Sequence, residues 1–260
     1  MTTGHIEGLT ETEAATIQTF PKPAEGTWTR SFGLDFEPFS MKDCWDPEFY
    51  ELEKEAVFKR NWLMVGREVQ LLRKGAFFTR ELEGLGYSII IVRGMDDKVR
   101  AFHNVCSHRG NQLVFEEHPT VEVRGNCRQF TCKYHAWQFA LEGDLTYVQQ
   151  ESEFFDLDKN DYGLVPVACE VWEGFIFINL NPDNTETVRD FLGELAHEIE
   201  GYPFAGPHQV YRFKAEIQCN WKIFMDGFAE SYHGPYLHAA SFGNLTAAAK
   251  AALEAPNPFT

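Results

Sequence analysis

Apolar positions between Asn61 and Leu164 come in short β-branched and aromatic runs broken by polar turns, which is the pattern of strands. Tyr87 to Val92 predicts one strand and Val99 to Val105 another. Gly143-Asp144, between Trp137 to Ala140 and Leu145 to Val148, predicts a hairpin turn. Upstream, Asp46-Pro47 is a helix start, with the carboxylate at the cap, proline in the first turn, and Phe49, Leu52 and Ala56 on one face. After Pro166 the periods mix. Val171 to Leu180 reads as a buried strand opening a second domain, and Val188, Phe191, Leu192, Leu195 and Ile199 recur at helical spacing. Tyr211, Phe213, Ala215 and Ile217 alternate with Arg212, Lys214 and Glu216, as in a strand with one wet face. Asn220-Trp221-Lys222 then begins a helix whose Trp221, Phe224, Met225 and Phe228 form a stripe expected to face the core. No βαβ unit and no internal repeat appears, and only Ala247 to Ala255 approaches low complexity.

With 260 residues, 44% of them hydrophobic and 23 of them Phe, the chain can fill a real core in one large or two ordinary domains. Lys and Arg total 23 against 39 Asp and Glu, a net charge of -16. An acidic surface repels phosphate backbones and anionic lipid, so nucleic acid and membrane partners are not expected. No run approaches the roughly 18 apolar residues of a membrane span. The segment through Gly26 lacks the basic start and apolar core of a signal peptide, so a cytoplasmic location is expected. The six cysteines are scattered, and disulfides are not expected; Cys44, Cys127, Cys169 and Cys219 read as buried or loop thiols.

The other two cysteines carry chemistry. Cys106-Ser107-His108 and Cys132-Lys133-Tyr134-His135 pair thiols with imidazoles at CxH and CxxH spacing, the ligand set of a mixed-ligand 2Fe-2S cluster. A zinc site also takes two Cys and two His, although zinc pairs more often read CxxC and HxxxH. Further along, Asp226, Glu230 and His233 fall at i, i+4 and i+7 of the helix begun at Asn220, and Gly234-Pro235 is expected to break it so that His238 sits on the next turn. His233 and His238 could then reach one metal ion. Two imidazoles and one carboxylate on one face of an iron leave positions open for oxygen and substrate.

The segments CSHRG and CKYHAW closely resemble the ligand loops of Rieske proteins, and NWKIFMDGFAESYHGPYLH resembles the iron-binding helix of the terminal oxygenase subunit of Rieske non-haem iron oxygenases. The resemblance covers about residues 40 to 245 and includes NWL at Asn61 and FHNVCSHRG at Phe102. It implies an α+β chain: a mostly antiparallel β Rieske 2Fe-2S domain plus an incomplete α+β helix-grip catalytic domain. The expected divisions are residues 1–40, a partly disordered extension; 41–165, the cluster domain with its preceding helix; and 166–260, the first part of the catalytic domain. Cys106, His108, Cys132 and His135 would bind the cluster, with Gly110, Tyr134 and Trp137 letting the loops pack tightly and exclude water. His233 and His238 would bind a mononuclear Fe(II).

Glu230 stands where many family members carry an Asp that bridges a cluster His of a neighbouring subunit to the iron site, and a Glu there is shared with members acting on quaternary amines. Asp226 is read either as support for the iron site or as a surface charge. Two departures stand out. The ligand loops are separated by the 23 residues from Arg109 to Thr131, longer than is usual in the family, with the extra length placed around Glu116 to Gly125; and Gly227 replaces a frequent Asn. The family's third iron ligand, a carboxylate from a later segment, is not reached by Thr260, so the chain reads as the amino-terminal part of a longer subunit.

The implied activity is oxygen insertion from dioxygen into a small organic substrate by hydroxylation or oxidative demethylation. Phe224, Phe228, Tyr232 and Tyr236 suggest an apolar one, although core packing explains most of them equally well, and the resemblance implies an aromatic substrate. A ferredoxin or flavin reductase would supply electrons, and a homotrimer, possibly with a beta subunit, would pass them between subunits. The alternatives are a cluster protein that only transfers electrons and a zinc-stapled binding module. His5, His118, His197 and His208 read as surface residues.

Overall fold

A computed structural model describes residues 40–116, 122–204, 215–230, 233–238 and 240. They fall into two compact units, one spanning Asp46–Ala215 and the other taking the residues before Asp46 and from Glu216 onward. The larger unit begins where the sequence predicts a helix. The Asp46 carboxylate accepts the Glu48 N–H at 2.9 Å, and α1 (Pro47–Glu53) follows. Its apolar face is not buried as expected: Leu52 is 64% exposed and Ala56 is exposed, whereas Glu53 is buried. A π-helical turn over Lys54–Phe58 takes more residues per turn and rotates Ala56 off the Phe49 face.

Ten strands then follow in order: β1 (Leu63–Arg67), β2 (Ala76–Leu82), β3 (Tyr87–Arg93), β4 (Val99–His103), β5 (Arg124–Asn126), β6 (Gln129–Thr131), β7 (Gln138–Ala140), β8 (Leu145–Tyr147), β9 (Pro166–Trp172) and β10 (Phe175–Asn179). They make a seven-stranded sheet in the order β1-β10-β9-β4-β3-β2-β5 and a three-stranded sheet β6-β7-β8. All the pairings are antiparallel. The surroundings of β3 explain its unbroken apolar run from Ile89 to Val92. Ile90 and Val92 pack with Phe102, Phe130, Trp137 and Phe139, while Ile89 and Ile91 point the other way onto Phe78, Ile176 and Ile178. Both faces of the strand are therefore core, and the first of the two clusters contains Cys106 and Cys132.

The hairpin expected at Gly143-Asp144 joins β7 to β8, with the Ala140 N–H donating to the Asp144 carbonyl at 2.8 Å. Gly143 has φ +109°, and a Cβ there would come within 2.7 Å of the Phe102 ring, so only glycine fits.

The single strand expected over Val171 to Leu180 is instead a hairpin, β9 and β10, turned by Glu173 and Gly174 at φ +49° and +77°. Positive φ at both central residues makes the tight turn that a twisted hairpin prefers. Because β10 pairs with β1 and β9 with β4, these strands extend the first sheet beyond the boundary expected at residue 166. The helical period that follows is also divided, into α2 (Val188–Leu192) and α3 (Glu194–Ile199), at Gly193 with φ +56°.

In the second unit, Asn220 Oδ1 accepts the Lys222 N–H at 2.9 Å and caps α4 (Trp221–Ala229), as its sequence predicts. The stripe on this helix is not core: Met225 is 55% exposed and Phe228 75%, with Trp221 and Phe224 also exposed. Period shows which face is apolar but not what covers it. A four-residue helix, α5 (Gly234–Leu237), follows. Of the strand expected over Tyr211 to Ile217, residues 211–214 lie outside the described residues, and 215–217 form no strand. The alanine-rich stretch also lies outside them. Among the described residues, no helix is long and apolar enough to cross a membrane.

Candidate functional site

Two loops of different sequence close with the same hydrogen bonds. In the first, which leaves β4, the Cys106 N–H donates to the Asn111 carbonyl at 2.8 Å and the Gly110 N–H donates back to the Cys106 carbonyl at 2.9 Å. In the second, which leaves β6, the Cys132 N–H donates to the Trp137 carbonyl at 2.8 Å and the Ala136 N–H to the Cys132 carbonyl at 3.0 Å. The fourth residue after each cysteine is left-handed: Gly110 at φ +73° and Ala136 at φ +59°. Glycine takes that conformation freely, whereas alanine does so at a cost. One backbone frame thus presents its histidine two residues after the first cysteine and three after the second.

The loops bring the four predicted ligands together. Cys106 and Cys132 are buried in the core at 2% and 3% exposure, and His108 and His135 are half-buried with ring centroids 4.8 Å apart. Trp137, itself buried, stacks on His108 and is held edge-on by Phe154 and Tyr162. Tyr134 shields less than expected. It leans on His135 with centroids 4.0 Å apart but is 57% exposed. Burial pushes the Cys106 thiol up to about 11, with the neighbouring Cys132 thiol adding to the effect. Burial also lowers His108, helped by repulsion from His135 and Arg109.

Two buried thiols beside two half-buried imidazoles suit a cationic group that draws off the thiol protons. Among the described residues, no three His, Cys, Asp or Glu side chains converge on a single metal-ion position. Two cysteines and two histidines are the donor set that would hold a 2Fe-2S cluster of mixed ligation.

The long connection between the loops is tied to the sheet. β5 adds to the edge of β2, the Val123 N–H donates to Thr79 Oγ1 at 2.8 Å, and Arg80 grips the Glu122 carboxylate through Nη1 at 3.0 and 2.8 Å. Residues 117–121 lie outside the described residues.

The second candidate site departs from its expected helical frame. α4 ends at Ala229 and Glu230 is extended, so Asp226 and His233 do not share one helix. Glu230 turns its carboxylate onto the next turn, accepting the His233 N–H at 3.2 Å and a short hydrogen bond from His233 Nδ1. That local capping competes with continuing the helix. Gly234-Pro235 starts α5 instead of breaking a helix, and the turn sets the His233 and His238 rings 5.3 Å apart. Asp226 is exposed on α4. Tyr232 lies outside the described residues, as do His5, His118 and His208, while His197 is exposed.

The motifs do not reveal several residues that position these groups. Asn104 is 4% exposed; its Oδ1 accepts the N–H groups of Leu113 and Val114, and its Nδ2 donates to the Val114 carbonyl and Ser88 Oγ, clasping the base of the first loop. Ser107 Oγ donates to the Tyr162 carbonyl at 2.6 Å. Cys127 and Cys169 stay outside the site, with thiols pushed up by burial to about 11 and about 12.

A family model described as the Rieske [2Fe-2S] domain matches residues 61–167, and one described as the ring hydroxylating alpha subunit (catalytic domain) matches residues 204–257. The carnitine monooxygenase oxygenase subunit of Escherichia coli (strain K12) is 37% identical over 192 residues, 73% of this chain and 49% of that protein. Chloroplastic choline monooxygenase of Beta vulgaris is 31% identical over 199 residues, 74% and 42% respectively. A quaternary ammonium Rieske monooxygenase solved with L-carnitine superposes with a TM-score of 0.69 at 31% identity, over 77% of this chain and 55% of that one. Naphthalene 1,2-dioxygenase with indole in its active site gives 0.67 at 31% identity, over 77% and 44%. The chain spans about half the length of the curated relatives it matches.

Proposed function

The chain belongs to the Rieske oxygenase alpha subunits, whose two domains imply a 2Fe-2S cluster and a mononuclear iron, and from that premise we propose that it is an oxygenase component acting on a small organic substrate. The observation that carries the proposal is the pair of identically closed loops that gather Cys106, Cys132, His108 and His135. In this reading Cys106, Cys132, His108 and His135 would hold the cluster, and His233 and His238 would be ligands of the mononuclear iron. When bound, the cluster supplies one-electron transfer and the mononuclear iron supplies dioxygen activation.

The chain's own residues prepare these groups. The indole of Trp137 fixes the plane of the His108 ring and keeps water from its buried face. Glu230 accepts a hydrogen bond from the His233 Nδ1–H, which fixes the tautomer and leaves Nε2 with its lone pair for a metal. Across a subunit contact, the same carboxylate is the proposed bridge to a cluster histidine of a neighbouring copy, in a homotrimer fed by a ferredoxin or flavin reductase.

The named relatives act on carnitine and choline, and this favours a quaternary ammonium substrate. Naphthalene 1,2-dioxygenase keeps an aromatic substrate as the second reading. Iron analysis with an oxygen-uptake assay tests the proposal. About three irons per chain and uptake stimulated by a trimethylammonium compound support it, whereas about two irons without uptake would indicate a protein that only transfers electrons.

A further inference from the structure

Asn111 reaches from the first ligand loop to the sulfur of the second. Its main-chain carbonyl accepts the Cys106 N–H at 2.8 Å, and its side-chain Nδ2 lies 3.7 Å from Cys132 Sγ. The orientation of the carboxamide is fixed, because the same Nδ2 donates to the Gln112 carbonyl at 2.7 Å and a flipped amide would set two oxygens against each other. One N–H thus serves the carbonyl and the other is free to point at the sulfur. Cys132 is 3% exposed, so water does not compete strongly for that sulfur. Cys106 receives the main-chain N–H groups of His108 and Arg109, which survive any substitution except proline, and the Asn111 donor on Cys132 is a side chain that substitution can remove.

We propose that the Asn111 carboxamide donates a hydrogen bond to Cys132 Sγ that raises the reduction potential of the cluster, making Asn111 a positioning and tuning residue. The inference rests on the reading of the two loops as cluster ligands. Reduction adds one electron and one negative charge to the cluster. A hydrogen bond to a sulfur ligand strengthens as that charge grows, so it stabilises the reduced form more than the oxidised one.

The test is a spectroscopic redox titration of the holoprotein with its Asn111→Leu and Asn111→Asp variants. Leucine keeps the volume and removes the donor; aspartate keeps the shape and replaces the donor with a negative charge. Asn111→Leu is expected to lower the reduced-to-oxidised ratio at fixed potential by several-fold to about tenfold, tenfold being about 59 mV for a one-electron couple, and Asn111→Asp by more. A fully loaded variant with the wild-type midpoint, or a raised one, overturns the proposal. Should neither variant assemble, pulsed EPR of the reduced wild-type protein carrying asparagine labelled with heavy nitrogen in its side chain decides the question: coupling to that nitrogen supports the bond, and its absence overturns it. A wild-type protein without cluster absorption would instead count against the cluster reading itself.

Discussion

The imidazole of His108 lies flat against the indole of Trp137, with ring centroids 4.6 Å apart and planes 9° apart. A residue of the second loop thereby sets the ring plane of a candidate ligand in the first, so Trp137 acts both as core and as an orienting surface. Trp137→Phe should retain the cluster with reduced thermal stability. Trp137→Ala should cost about 3–5 kcal/mol in urea unfolding and lose visible absorbance. An alanine variant of unchanged stability would show that the stacking does not matter.

His103, the last residue of β4, is half-buried beside the Tyr87 ring, and burial alone lowers its pKa from the ordinary value of 6.5. The folded state then binds fewer protons here than the unfolded chain, so stability declines as pH falls below about 6.5 and levels off above it. In His103→Phe that increment disappears. Unfolding curves of the two proteins between pH 7.5 and about 5.5 should diverge toward acid, with the wild type losing more; parallel curves would contradict the assignment.

Arg80, 9% exposed, is held by Glu122 and the Val65 carbonyl, and burial lowers its pKa to about 10. Glu122→Leu strands the guanidinium without its carboxylate. The cost should fall at the lower end of about 3–5 kcal/mol, since both partners keep some solvent contact. Adding Arg80→Met should recover most of that loss in a double-mutant cycle; full additivity would mean that the pair is not coupled.

Glu230→Gln keeps the side chain's shape but weakens its hold on the His233 Nδ1 proton. Turnover should fall about 10–100-fold with cluster spectrum and iron content intact. Normal turnover would remove Glu230 from the account.

The parts of this architecture that follow from local chemistry could be read in the sequence. The β-branched run of β3, the helix starts at Asp46 and Asn220 and the Gly143 turn all appear where the residues place them, and Cys106, His108, Cys132 and His135 come together as their two motifs suggest. Features set by competition or by tertiary pairing could not be read. The Glu173-Gly174 turn hides inside an apolar run, and only the pairing of β10 with β1 shows that Val171 to Leu180 belongs to the first sheet. The end of α4 is decided by where the Glu230 carboxylate goes, which helical periodicity does not register. Asn104 and Asn111 carry no motif signal of their own, because their roles depend on groups up to 21 residues away.

The central claim, that the two equivalent loops hold a 2Fe-2S cluster, is tested most directly by acid-labile sulfide and visible absorbance of anaerobically purified protein beside its Cys106→Ser variant. The account predicts a coloured wild type with about two sulfides per chain and a colourless variant with none. A wild type without labile sulfide, or a variant that keeps the full absorbance, would contradict it.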